Sequence, residues 1–163
     1  VINKMKNEKK ENIVGLAVRV SARAPFGSKA SHKLLPSEIV NLHWGVYEKF
    51  GMVAYGTNVK INPNKKDRID KIFLFGNSND ELFLCICDVV KIFISDDECR
   101  PNIESKYLVP EWNKENKKTW LMIKNFRQLD IDTCEYKLLN ESKYLREQIL
   151  KPRFNSCYVN IEN

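Results

Sequence analysis

Three indoles are the side chains of this sequence best suited to holding a ligand. Trp44 falls in an amphipathic stretch and Trp120 in a β-rich run. Trp112 falls in a segment of Glu, Asn and Lys whose polarity gives no local reason for an indole. Such a ring either folds back to close the core under a long loop or offers a flat face to a ligand. Two or three aromatic faces can sandwich a planar base. Stacking contributes roughly 1–3 kcal/mol per base, and each alkyl carbon buried between the rings adds about 0.8 kcal/mol. A base taken from a duplex must first leave its stack, at a cost of roughly a few kcal/mol.

Groups for acid–base or covalent catalysis are sparse. There are two histidines, His32 and His43. His43, beside Trp44, reads as a partly exposed surface side chain rather than a ligand or base. No GxSxG, HExxH or P-loop pattern occurs. Asp67, Asp70, Asp80 and Glu81 lie near strand ends, and Lys91 lies three beyond Asp88. A metal-dependent nuclease would group such residues on adjacent strands, but this spacing is that of ordinary strand ends. Of the five cysteines, Cys85, Cys87, Cys134 and Cys157 sit in apolar segments and read as reduced core thiols. Cys85 and Cys87 share a face of one strand. No CxxC or HxxxH spacing supplies further ligands, so no metal and no cofactor is expected.

A formal net charge of +6 favours a polyanionic partner, because each Lys or Arg set on a phosphate releases a counterion. Compositional bias toward Lys and Asn produces the same excess without any such partner. A chain of 163 residues, 43% of them hydrophobic, suffices for one domain with one core. No apolar run approaches the roughly 20 residues that span a bilayer, and the start is polar and lysine-rich, unlike a secretory leader. A cytoplasmic chain without a membrane partner is therefore expected. Residues 1–12 read as a linker or tail, and 13–163 as a single domain cut from something longer.

The elements that must position these groups follow from periodicity. Residues 13–20 form a β-rich run ending at Ser21, after which a Gly/Ser/Pro loop carries Arg23, Lys29 and Lys33. Ile39, Leu42, Val46 and Phe50 recur at helical steps. Ser37 is the expected N-cap of that helix and Gly51 its stop, with Gly45 a potential break. Strands are expected at 52–55 and 59–61 around a turn at 56–58, at 71–75, and at 81–94 with a bulge near Asp88. Residues 76–80 form the turn of a hairpin. A further strand spans 119–126, with Trp120, Met122 and Lys124 on one face and Leu121 and Ile123 on the other. A helix at 140–150, capped by Asn140 or Ser142, and a strand at 157–161 complete the chain. Strands outnumber helices with no βαβ rhythm, which predicts an α+β fold with a curved, mostly antiparallel sheet or small barrel.

Several segments, in this order, are similar to EVE and YTH domains of the PUA-like superfamily. They are the 15–20 strand closing at Ser21, the helix ending in Trp44-Gly45-Val46-Tyr47, the 51–58 segment, the 84–91 strand, the 107–112 loop and the 118–124 strand. The resemblance covers about residues 13–161. It implies a small curved antiparallel or mixed β-barrel flanked by two to three helices, with an aromatic cage for a flipped, methylated base. YTH domains read N6-methyladenine in RNA. Related domains at the N-terminus of modification-dependent restriction GTPases read methylated bases in DNA. Carried onto this chain, the resemblance makes Trp44 and Trp112 cage walls, with Tyr55 and Trp120 as second choices. Ser21 and Asn58 would bond the base edge, and Arg19, Arg23, Lys29 and Lys33 would meet phosphates. The family's Trp-Ser-Thr motif at the helix is replaced by Trp44-Gly45. The expected function is a non-enzymatic reader of a modified base, DNA before RNA, serving as the targeting module of a restriction or defence protein. A protein-interaction module, an RNA-binding domain without modified-base specificity and a small nuclease are the alternatives.

Overall fold

The computed structural model of the chain describes residues 13–78, 81–95 and 101–161. The expected 1–12 tail lies outside them, as does the tip of the 76–80 turn. Seven strands form one mixed sheet: β1 (Val14–Arg19), β2 (Val53–Thr57), β3 (Ile69–Ser78), β4 (Glu81–Ile94), β5 (Thr119–Gln128), β6 (Lys137–Leu138) and β7 (Ser156–Asn160). Their spatial order is β2-β5-β4-β3-β1-β7-β6. Among the described residues, β1 and β3 run parallel and the other neighbouring pairs are antiparallel. The fold is α+β as expected. The expected barrel is not observed, because among the described residues the sheet is open, with β2 and β6 as its edges.

The alternation legible in the sequence decides which side chains enter which layer. Val14, Leu16 and Val18 of β1, Ile72 and Leu74 of β3, Cys85 and Cys87 of β4, and Leu121 and Ile123 of β5 share one face. The helix α1 (Pro36–Phe50) covers that face through Ile39 and Val40. The opposite face holds Ala17, Phe73, Phe75, Leu84 and Ile86, covered by Leu145 and Ile149 of α2 (Leu145–Ile149) and by Cys134 and Leu138. Gly15 is required where β1 passes the Phe73 ring, since a Cβ there would lie 2.8 Å from it.

Local chemistry corrects several boundaries. α1 begins two residues earlier than an N-cap at Ser37 would place it. Leu35, not Ser37, is the N-cap, Pro36 occupies the first turn, and the Glu38 carboxylate accepts the Leu35 N–H at 2.9 Å. The Ser37 N–H instead donates to Glu81 at 2.7 Å, which ties the helix start to β4. The helix runs unbroken through Gly45, because its packing against the sheet outweighs the roughly 1 kcal/mol propensity cost of one glycine. It stops at Gly51, whose φ of 89° is left-handed and whose N–H caps the Tyr47 carbonyl at 2.7 Å. Residues 59–61 are not a strand. Asn140 cannot cap α2, since its φ of 61° is left-handed and an N-cap needs extended backbone. It lies in a turn, and α2 is capped by Tyr144 and spans five residues. The bulge expected near Asp88 is present, with irregular register on both sides of that residue.

Candidate functional site

Edge strand β2 pairs on one side with β5. Residues of α1, of the 21–34 loop and of the 105–115 segment meet β2 and β5 in a hollow that includes Arg23, His43, Gly56, Trp112, Glu115 and Trp120. Gly56 opposes Trp120 across the β2–β5 pair. A Cβ at Gly56 would lie 2.9 Å from the Trp120 ring and 2.8 Å from the Lys117 side chain. The missing side chain is therefore what lets the indole lie against the strand. Trp112 enters from a short 3-10 turn (Pro110–Trp112), and its Nε1–H donates to the Ala24 carbonyl at 3.0 Å. The 21–34 loop is held beside it by paired backbone bonds between Arg23 and Leu34 and by the Phe26 N–H on Glu111.

His43 sits at the floor. It is buried, not exposed as expected. Its ring stacks on Trp112 at 6.1 Å and 17° and tilts against Tyr55 at 5.1 Å. Nδ1 lies 2.8 Å from the Ile39 carbonyl, an acceptor only, so Nδ1 carries the proton and Nε2 of the neutral ring is an acceptor. Burial holds the imidazole's pKa down to about 4, aided by the nearby Arg23 charge and opposed by the Ile39 bond. Tyr55 is pushed up to about 12, chiefly by burial.

A clasp of charges lies beside this hollow. The Arg23 guanidinium packs over the Trp112 ring at 4.5 Å and pairs with Glu115 at 2.9 Å. Lys117 approaches the same carboxylate at 3.6 Å. Burial lowers the Lys117 pKa and Arg23 lowers it further, while Glu115 opposes both. With the clasp shut, the hollow has room for about one water, ≈ 10 Å³. Small-molecule pockets typically offer about 300–1,000 Å³, so any flat ligand requires the clasp and its loop to move.

Of the expected site residues, Trp112 and Trp120 share this hollow and Tyr55 supports its floor through His43. Trp112, Trp120 and Tyr55 are each at most 5% exposed, so these three do not form an open cage here. Trp44 is not part of the hollow. One residue beyond His43, it faces about 100° away around the helix and packs half-buried on Phe126 at 5.4 Å. Ser21 and Asn58 are exposed, and the Asn58 side-chain oxygen accepts the Lys118 N–H. Lys29 and Lys33 are exposed. Arg19 is engaged with main-chain carbonyls rather than set beside the hollow. Its guanidinium donates to the carbonyls of Phe154 at 2.7 Å and Lys151 at 2.8 Å, with Asn77 at 3.4 Å, and so clamps the α2–β7 connection. Arg23 is committed to Glu115 in this state.

Sequence reasoning missed His43, Gly56 and Glu115. The available signal was His43 one turn from Ile39 and Val40 on the apolar stripe, which places it inward. Among the described residues no cluster of three or more His, Cys, Asp or Glu could hold a metal ion, and no helix is long and apolar enough to cross a membrane. Comparison of the chain with protein-family models, curated proteins and solved structures finds no match.

Proposed function

We propose that this domain binds nucleic acid and receives a single flipped base, methylated and in DNA, in the hollow beside β2. It would act as a reading module of a larger restriction or defence protein rather than as an enzyme. The observation that carries the reading is that Trp112, packed on the α1-covered side, and Trp120, on the opposite face of the sheet, both border one hollow at the β2 edge, where the strand has a glycine. Two indole faces there offer stacking, and the His43 Nε2 offers an acceptor for a base N–H. A methyl group on the base adds apolar area against an indole, worth about 0.8 kcal/mol.

The clasp gives this reading a physical sequence of events. A phosphate approaching Arg23 competes with Glu115 for the same guanidinium, since Arg pairs with phosphate through the same charge-assisted fork as with carboxylate. Releasing Arg23 uncovers the Trp112 face, so backbone contact and base entry are linked. Lys29 and Lys33, exposed on the loop that Arg23 anchors, add sequence-independent attraction. A protein partner gripped by Trp112 or Trp120 would need the same uncovering of these buried rings.

The test is a binding screen of the chain against oligonucleotides carrying methylated adenine, methylated cytosine, hydroxymethylated cytosine or no modification. The reading expects one modified oligonucleotide to bind more tightly than its plain counterpart, with Glu115→Gln raising affinity for both. Equal affinity across the set would leave an RNA- or DNA-binding domain without base reading, and no binding would favour a protein partner.

A further inference from the structure

The far end of β5 carries a second arrangement, unrelated to the hollow. Ile86 opposes Arg127 and Asp88 opposes Lys124, so Asn125 and Phe126 together face the single residue Cys87. That is a bulge, with Asn125 at a left-handed φ of 57°. The extra residue reverses the alternation and sends Phe126 into the core, where Trp44 and Tyr47 flank its ring at 5.4 and 5.5 Å. It also aims the Asn125 amide outward into a polar network. The Asn125 Nδ2 donates to Asp88 at 2.7 Å, and its Oδ1 accepts the Tyr47 hydroxyl at 3.2 Å. The other Asp88 oxygen accepts from the Lys71 ammonium.

These residues line an open groove of about 480 Å³, together with Arg127. That volume is in the range of small-molecule sites. Its charge balance is uneven. Asp88 is already bonded by two donors, Lys71 and Arg127 are both on the wall, and Lys124 lies close enough to act on Asp88, so three cations stand against Asp88 and Asp70, which lies 3.8 Å from the Lys71 ammonium. Arg127 is exposed, and its guanidinium has no hydrogen-bond or ion-pair partner among the described residues. A structural salt bridge alone would account for Lys71 and Asp88, but not for an unpartnered guanidinium beside a groove of this size.

We propose that this groove is an oxyanion site that takes one phosphate group, with the Arg127 fork and the Lys71 ammonium as its charged ligands. Arg127 supplies two parallel donors in a plane that matches two phosphate oxygens. Lys71 supplies a point charge, held in place before binding by Asp88. Asn125, fixed by the bulge, and the Tyr47 hydroxyl supply the polar floor. The phosphate comes either free in solution or as a phosphodiester of a nucleic-acid strand. The site stands independently of base reading, and each can fail without the other.

The test is an NMR titration of the ¹⁵N-labelled chain, with inorganic phosphate in one arm and a short unmodified single-stranded oligonucleotide in the other. The Asn125 side-chain amide, the Phe126 and Arg127 backbone amides and the Arg127 Nε–H are followed. Saturable shifts with inorganic phosphate identify a site for free phosphate, and shifts with the oligonucleotide alone identify a phosphodiester site. Arg127→Ala should weaken the response about tenfold, the equivalent of one charge-assisted bond. Asp88→Asn should strengthen it by releasing Lys71, with thermal unfolding checking that the variant is folded. Because Arg127 is exposed, its variant decides the matter if the Asp88 variant does not fold. Trp112→Phe should leave the groove's response intact. Silence of these resonances in both arms, or a response unchanged in Arg127→Ala, overturns the proposal.

Discussion

His43 couples the hollow to pH. Its folded pKa of about 4 lies below the ordinary 6.5, so the neutral ring belongs to the folded state. Above pH 6.5 both states are neutral and the fold has its full stability. As pH falls from 6.5 toward 4 the unfolded chain takes up a proton that the folded chain refuses, and stability is lost. The full gap corresponds to about 3 kcal/mol. Chemical denaturation at a series of pH values should show this loss, and His43→Phe should flatten that part of the curve. A profile unchanged by the substitution would contradict a neutral, buried imidazole. Trp112 carries a parallel expectation. It is buried with its N–H bonded to Ala24, so Trp112→Ala should cost roughly 3–5 kcal/mol and serves poorly as a binding probe. Trp112→Phe retains a ring and isolates the stacking face. An oddly placed indole in a polar segment marked Trp112 from sequence. Its burial was not legible, because it depends on the 21–34 loop folding over it, 88 residues away in sequence.

Among the elements, the β5 bulge determines the most. Were β5 regular through this point, Phe126 would point away from α1 and Asn125 would enter the core in its place. Asn tolerates left-handed backbone better than other side chains with a Cβ, and Gly tolerates it best. Asn125→Gly should therefore be more stable than Asn125→Ala by roughly 1 kcal/mol, though both lose the bonds to Asp88 and Tyr47. Thermal or denaturant unfolding of the two variants reads the order, and the reverse order would mean that residue 125 is not left-handed. A bulge near Asp88 was visible in the sequence as an over-long apolar run from 81 to 94. The residue that accommodates it on the partner strand was not, because a left-handed Asn resembles any other strand Asn until its pairing is known. Likewise α1 was legible from Ile39, Val46 and the Gly51 stop. Its N-terminus was not, because Ser37 resembles a cap while Pro36 and Glu38 are what fix the first turn.

Across the whole molecule, the alternating segments sufficed to predict an α+β fold with a hairpin turning near residues 76–80, since those signals are local. Closure into a barrel is not local. It would require β2 and β6, 80 residues apart, to find a shared neighbour, and in the structure both remain edges. The basic surplus was legible as a number, but its distribution was not. Arg19 serves as a clamp on main-chain carbonyls, while Arg23 closes the hollow against Glu115. The molecule is thus observed with its two inner indoles covered, and the proposed activity depends on uncovering them. The most direct measurement is tryptophan fluorescence of a Trp44→Phe variant, in which Trp112 and Trp120 are the remaining indoles, titrated with the tightest-binding modified oligonucleotide from the screen and with its plain counterpart. The account predicts saturable quenching by the modified oligonucleotide, weaker quenching by the plain one, and affinity for both that falls as salt is raised. Binding detected by anisotropy with no change in indole emission would place the ligand elsewhere and contradict entry of a base into the hollow.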